Sequence, residues 1–418
     1  MEVDAPADST MDAYCTTRML SNGDRTLEDI HQIMEFAKLD RAEVNPTVQC
    51  LHFSTHMDNT SVKLMEVDES LLEHLVTGER LTIRGDKTDS AVVCTNRKTF
   101  EIKEAETSNS VLILPDLLLP EKLGEKEIII EKEVSAILYN YFELRPIKPR
   151  LKKMKELLEE NVYSGPECEE DENHHGRKYS YADLKELVQA SEGEIQEGLK
   201  ALQAVEIDGY IRMLDFDYLQ KVLSSIAGLV EENDWTTDHL PLRTCLEELQ
   251  DLYDRHIIIH VLDCYGTKSD PGGGKNMEAD SADVEYALCE SKICRFYAEI
   301  LLRASEKFNL QEFLLTWQES VPVGMKTDSC QLEGLALIDK TSRPEVIIYF
   351  PVEELPEDIE ARFNALFRVR EKWTKEEITP YIKDVATEKM GTGALLMKYA
   401  RASTSNGVKV YNSKKAVT

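Results

Sequence analysis

Two hydrophobic periods divide the chain. Residues 1–25 are polar and aperiodic, which predicts a disordered leader; Leu27, Ile30, Met34 and Ala37 then recur at helical spacing. From there to about residue 145 the period shortens to that of strands. VQCLHF, VKLMEVD, RLTIR, AVVCT, KTFEIKE, SVLIL and EIIIEKEVSAILYNYFEL are rich in β-branched residues and are separated by Asn, Asp, Gly and Thr clusters. Neighbours so close in sequence are expected to pair as antiparallel hairpins, because a parallel crossover takes a dozen or more residues. The pattern predicts an antiparallel β meander over 26–148 that curls into a partial barrel. The chain itself closes that barrel, or a partner subunit completes one edge.

After about residue 150 the period becomes helical, with brief strand pairs. Tyr181 to Ala190 reads as a helix burying Leu184, Leu187 and Val188. Ser191 and Glu194 then form a capping box that starts a helix with Ile195, Leu199 and Leu202 on one face. Asp208-Gly209 turns the chain into a strand pair, and helix, turn, helix, β-ribbon is the winged-helix order. The order recurs in SKICRFYAEILLRASEKFNLQEFLLTWQES followed by two strands within 335–352, and again from RFNALFRVREKW. In that last copy Thr374 and Glu377 make a second capping box, with Trp373 and Ile378 as its hydrophobic staple. Pro380 allows an alternative start, with Thr379 as the cap. The fold class is therefore α+β: the β region over 26–148, then tandem winged-helix units over 149–290, 291–354 and 355–418. A candidate fourth unit lies within 241–288.

Charge sharpens this division. The chain carries 49 Lys/Arg against 78 Asp/Glu, a net of −29, yet residues 361–418 carry 12 against 5, a net of +7. RPIKPRLKKMK at 145–155 adds six positive charges without an acid. An acidic chain with locally basic stretches points to a confined nucleic-acid contact, against the alternative of solvated helix faces. In the last unit a helix over 393–402 would bury Leu395, Leu396 and Tyr399 and present Lys398 and Arg401. Lys409, Lys414 and Lys415 extend the sign along the ribbon, and Arg368 and Arg370 precede it. A second candidate patch is Arg150, Lys152, Lys153 and Lys155.

Other chemistry is sparse. Arg84-Gly85-Asp86 has the form of an adhesion tripeptide, but the acidic N-terminal residues Glu2, Asp4 and Asp8 precede no apolar signal core. The nine scattered cysteines (Cys15, Cys50, Cys94, Cys168, Cys245, Cys264, Cys289, Cys294 and Cys330) read as reduced thiols. The tripeptide is expected to be a turn between strands, with Gly85 at positive φ and Asp86 accepting local backbone bonds. Cys289 and Cys294 read as small core residues of a helix. His174-His175, and His256 with His260, lack companions at metal-ligand spacing. PGGGKN lacks the first glycine and the hydroxyl residue of a phosphate loop. No catalytic, cofactor or metal site is expected, no enzyme activity, and no run of residues suited to a membrane.

LTIRGDKTDSAVVC, NRKTFEIKEAETSN, RLKKMKELLEEN, KFNLQEFLLTWQESVPVGM, LEGLALID, SRPEVI, REKWTKEEITPYIKD and GALLMKYARASTSNGVKVYNSKK together resemble the defective-in-sister-chromatid-cohesion (DSCC) family of eukaryotes, in order, from about Leu27 to the last residue. The resemblance implies a nuclear, non-ATPase subunit of an alternative replication-factor-C clamp loader built round a large chromosome-transmission-fidelity subunit. It implies a composite barrel shared with that subunit and a small partner, and three winged-helix domains that contact DNA and polymerase epsilon. It also implies a complex, with the replication-factor-C small subunits, that loads and unloads PCNA and supports cohesion. KPRLKKMK and SKK fit nuclear import runs.

Overall fold

A computed structural model of the chain describes residues 25–40, 42–87, 89–123, 128–169, 176–269, 284–305, 307–387, 390–405 and 407–414. The leader expected over 1–25 lies, apart from Arg25, outside the described residues, as do His174, His175, PGGGKN and Lys415. Two compact units are present: the described residues of Met1–Glu73 with Ile102–Leu144, and His74–Glu101 with Arg145–Thr418.

The first unit opens with α1 (Leu27–Ala37), fixed by a reciprocal cap between Thr26 and Asp29. Ile30 is buried on this helix while Ile33 and Phe36 face outward. β1 (Thr47–Phe53) pairs with β6 (Ile128–Val134), and β2 (Met65–Glu66) with β7 (Ala136–Ile147), before α2 (Glu69–Val76). Both pairs are parallel, Thr47 facing Ile128 and Met65 facing Phe142. This corrects the antiparallel expectation, and the reason is physical. The crossover rule restricts only consecutive strands, and these pairs join segments far apart in sequence. KTFEIKE and SVLIL fuse into one fifteen-residue strand, β5 (Thr99–Ile113), beside β7. Among the described residues the strands close no barrel, and β1 and β6 pair only with each other.

The middle of the expected meander belongs to the second unit. There β3 (Thr82–Arg84), β4 (Val92–Cys94) and the first residues of β5 form an antiparallel ribbon whose Val92, Val93, Cys94 and Phe100 are buried.

One element order then recurs four times: helix, short strand, helix, helix or tight turn, two-stranded ribbon. The first repeat is α3 (Lys152–Glu159), an extended bridge at Tyr179, α5 (Tyr181–Leu187), α6 (Glu192–Ala201), β8 (Val205–Ile207) and β9 (Tyr210–Arg212), with α4 (Pro166–Glu169) inserted after its first helix. The second is α7 (Phe216–Glu232), β10 (Leu240–Pro241), α8 (Leu242–Leu249), α9 (Arg255–Tyr265), β11 (Gly266–Ser269) and β12 (Glu285–Leu288). The third is α10 (Glu290–Ala304), β13 (Lys307–Asn309), α11 (Leu310–Ser320), a 3-10 turn over Ser329–Leu332, β14 (Ala336–Asp339) and β15 (Val346–Tyr349). The fourth is α12 (Ile359–Val369), an extended bridge at Trp373, α13 (Lys375–Ile382), α14 (Thr392–Tyr399), β16 (Ala400–Ser405) and β17 (Val408–Ser413).

In every repeat the segment after the first helix runs antiparallel to the last ribbon strand, so each sheet has the same order. Residues 149–290 thus hold two repeats, and 241–288 completes the one begun by α7. Packing follows the periodicity. Met154, Leu158, Leu184 and Ile195 form the core of the first repeat; the second and third share one core; the fourth has its own, centred on Trp373, Ile378 and Tyr381. Both capping boxes read from sequence are present, and Trp373 and Ile378 are fully buried as their staple requires. Pro380 lies inside α13, which starts at Thr374 and not at Thr379.

Candidate nucleic-acid interface

A module of this order offers its third helix and its ribbon to a duplex. In the first three repeats the third element is already engaged or carries the wrong charge. The N-terminus of α6 is covered by the β4–β5 turn: Gly193 N–H donates to the Asn96 carbonyl (3.0 Å), Ser191 N–H to Thr99 Oγ1 (2.9 Å), and Thr99 Oγ1–H to Glu194 (2.6 Å). The exposed positions of α6 are Glu192, Gln196, Glu197 and Lys200, a face of net negative charge. α9 buries Ile257, Ile258, Val261, Leu262 and Tyr265 and joins His260 Nε2 to the Gln203 carbonyl of the first repeat at 2.9 Å. The third repeat has only a 3-10 turn at this position.

The fourth repeat differs. α14 buries Leu395 and Leu396 and leaves Ala394, Met397 and Lys398 exposed, and no Asp or Glu follows Glu388 in the chain. Its Gly391 start has no side-chain cap, and a Cβ at Gly391 or Gly393 would meet open space. Arg401 is exposed on β16, opposite Asn412; it is not on the helix expected over 393–402, because the chain turns extended at Ala400. Lys409 is exposed on β17. Lys398 and Lys409 lie 5.1 and 5.5 Å from the rings of Tyr399 and Tyr411, and no carboxylate lies within 4 Å of Lys398, Arg401 or Lys409 among the described residues. Three cations with acid-free surroundings therefore lie on one module, with Arg401 and Lys409 on opposite faces of its ribbon, since Lys409 pairs with Thr404, three residues from Arg401.

The other candidates have intramolecular roles. Lys414 Nζ donates to the carbonyls of Met397 (2.7 Å) and Lys398 (2.8 Å), satisfying the C-terminal end of α14 with a cation where the helix dipole favours one. Arg370 donates to the Glu377 carboxylate (2.9 Å) and the Ile338 carbonyl (2.5 Å) and lies over the Trp373 ring. Arg368 is exposed at the end of α12. In the second patch Arg150 donates to Gln189 (3.2 Å), while Lys152, Lys153 and Lys155 pair with Glu156, Asp89 and Glu159 at 3.7, 4.0 and 3.6 Å. That patch is locally neutralised.

The Arg84-Gly85-Asp86 turn does more than turn. Asp86 accepts the Lys87 N–H (2.7 Å), as its turn role requires. Arg84 reaches the first repeat and donates to the buried Ala190 carbonyl at 2.7 Å. Gln189, 6% exposed, donates to the Ser90 carbonyl at 2.8 Å. Gly85 has φ of +152°, and a Cβ there would stand 3.1 Å from the Gln189 amide nitrogen. Sequence reasoning missed this clamp, since nothing local to either segment names the other.

A small, partly open hollow of about 30 Å³ lies between the first two repeats, lined by Leu202, Gln203, Leu214, His260, Cys264 and Tyr265 among others. Burial pushes the Cys264 thiol up to about 11 and pulls the His260 imidazole below its usual range. Such a pair, 3.6 Å apart, stays a neutral thiol beside a neutral imidazole. Cys294 is buried as expected, but Cys289 is the half-buried N-cap residue of α10. Burial alone would raise the Cys289 thiol; bonds from Ser291 and Lys292 outweigh it and lower the thiol. Among the described residues no three His, Cys, Asp or Glu converge as metal ligands, and no helix is long and apolar enough to cross a membrane.

The family model described as "Sister chromatid cohesion protein Dcc1" matches residues 62–382. The chain belongs to the Dcc1 family. It is 44% identical to the mouse sister chromatid cohesion protein DCC1 over 94% of this chain and 98% of the mouse protein. It is 43% identical to the human DCC1 over 94% of this chain and the whole human protein. The budding-yeast DCC1 is 24% identical over 84% of the chain and 96% of the yeast protein. The Dcc1 match ends at Ile382, so α14, β16 and β17, which carry the free cations, follow it in sequence.

Proposed function

We propose that the chain is a non-catalytic scaffold subunit of an alternative, replication-factor-C-like clamp loader and acts in sister chromatid cohesion during replication. Its first unit offers strand edges, unpaired among the described strands, to the large and small chromosome-transmission-fidelity subunits, which join it to the replication-factor-C small subunits. Its four repeats are tandem winged-helix modules that contact DNA and polymerase epsilon while the complex loads and unloads PCNA in the nucleus. Membership of the Dcc1 family supports the cohesion role, and the resemblance that runs from about Leu27 to the last residue supports the loader. The observation that carries the DNA contact is the acid-free surroundings of Lys398, Arg401 and Lys409 on the fourth repeat, whose third helix leaves Ala394, Met397 and Lys398 exposed.

The test is charge reversal at Lys398, Arg401 and Lys409 to Glu in the full chain, with duplex binding followed by fluorescence anisotropy over a salt series. Each phosphate contact contributes about −0.9 to the slope of log affinity against log salt, so losing three flattens it by about 2.7. An unchanged affinity and slope would refute the DNA contact. A second reading, a pure protein–protein adaptor, draws on Met397 and Val408, 80% and 52% exposed on the same repeat. It predicts that Met397→Glu abolishes partner capture while the triple reversal leaves DNA affinity untouched.

A further inference from the structure

The basic run Arg145–Lys155 was legible as a patch seeking an external anion, yet its contacts point inward. α3 has no side-chain cap of its own: Leu151 precedes it, and its first turn carries Lys152 and Lys153, opposed to the helix dipole. The missing acceptor comes from the fourth repeat. Glu357 Oε1 accepts the Lys152 backbone N–H at 2.9 Å across a sequence separation of 205 residues. Four residues earlier, Lys148 Nζ donates to the Asp384 carbonyl, also in the fourth repeat.

The two receiving segments are held in register by one side chain. Arg362, 3% exposed, donates to the carbonyls of Pro356 (2.7 Å) and Tyr381 (3.1 Å) and pairs with the Asp384 carboxylate. The fourth repeat is gripped on another side by the third, through Tyr381 Oη to the Ala336 carbonyl (3.2 Å) and Arg370 to the Ile338 carbonyl.

We infer that the run 148–152 is one half of an electrostatic clasp that fastens the fourth repeat onto the first, so that the row of four repeats is closed on itself and the cationic α14 face is held in a fixed orientation. The clasp stands whether or not that face binds DNA.

Hydrogen exchange read by mass spectrometry on the full chain tests it. Glu357→Ala removes the one side-chain acceptor that α3's N-terminus has among the described residues, and a lost cap of ordinary strength speeds exchange of the amides at 151–155 about three- to thirty-fold. The second and third repeats should exchange as before. Unchanged exchange at 151–155 overturns the clasp, and so does an increase spread evenly over all four repeats, which would make Glu357 a general stabiliser. If Glu357→Ala does not fold, Lys148→Ala, which removes only an exposed side chain, is read at the amides of 383–387. Faster exchange there supports the clasp, and no change sinks it.

Discussion

Replacing Arg84 by Ala isolates the contact that fastens the β3–β4 turn to the first repeat. The guanidinium donates to a carbonyl of Ala190, a residue with 0% exposure, and no other donor to that carbonyl is present among the described bonds. A hydrogen bond from a charged donor contributes about 1.5–3 kcal/mol, and an orphaned buried carbonyl costs about 1–3 kcal/mol in its own right. The two overlap, so the loss is about 2–3 kcal/mol, a factor of roughly 30 to 150 in the local opening constant. Asp86→Ala removes only an exposed turn bond to Lys87 and should stay within about 0.5 kcal/mol. Gly85→Ala should also be destabilising, since a φ of +152° strains any L side chain and its Cβ would stand 3.2 Å from the Ala91 backbone as well as 3.1 Å from the Gln189 amide. Four packed repeats will not unfold as one two-state transition, so the proper readout is hydrogen exchange of the amides at 184–196 in the full chain. Equal effects from Arg84→Ala and Asp86→Ala would refute the clamp and return the tripeptide to the status of an ordinary turn.

Gly176 is a second sensitive point: a Cβ there would sit 1.8 Å from the Glu160 carbonyl oxygen, so Gly176→Ala should cost more than about 3 kcal/mol, measured as a lowered urea midpoint of the first repeat. Glu169 is held at about 2 by its bonds to Arg212, with burial opposing and Lys178 assisting. Its folded pKa lies below the ordinary 4.5, so its contribution is complete above 4.5 and is lost as pH falls towards 2. The urea midpoint of the first repeat should therefore drop between about pH 5 and about pH 2, and Glu169→Gln should flatten that dependence; a variant with the wild-type pH profile would remove Glu169 as the cause.

Local chemistry was readable wherever cause and effect sit within a few residues. Ser191 with Glu194, Thr374 with Glu377, and the buried faces of α5, α6 and α13 are set by neighbours three or four positions away, and the helix–helix–ribbon order followed from them. What escaped depends on distant segments. The parallel partners of β1 and β2 arrive from beyond residue 127, and no periodicity names a partner. The repeat starting at α7 was half hidden because its ribbon is split by residues 270–283, which lengthen the spacing between β11 and β12. Of the candidate cations, Lys398, Arg401 and Lys409 stand free of carboxylates, but Lys414 and Arg370 were indistinguishable from them in sequence. The carbonyls of Met397, Lys398 and Ile338 that occupy them carry no side-chain signature.

The pairing of Trp373 with Tyr411 bears on how the chain can be cut. The two residues exchange both backbone bonds, Trp373 N–H to the Tyr411 carbonyl at 3.0 Å and Tyr411 N–H to the Trp373 carbonyl at 2.8 Å. Any shortening that trims the positive tail back past Tyr411 also strips a strand from the module that displays it and uncovers the indole beneath. Tail deletion therefore cannot separate loss of charge from loss of architecture, whereas single replacements that keep every backbone amide in place can.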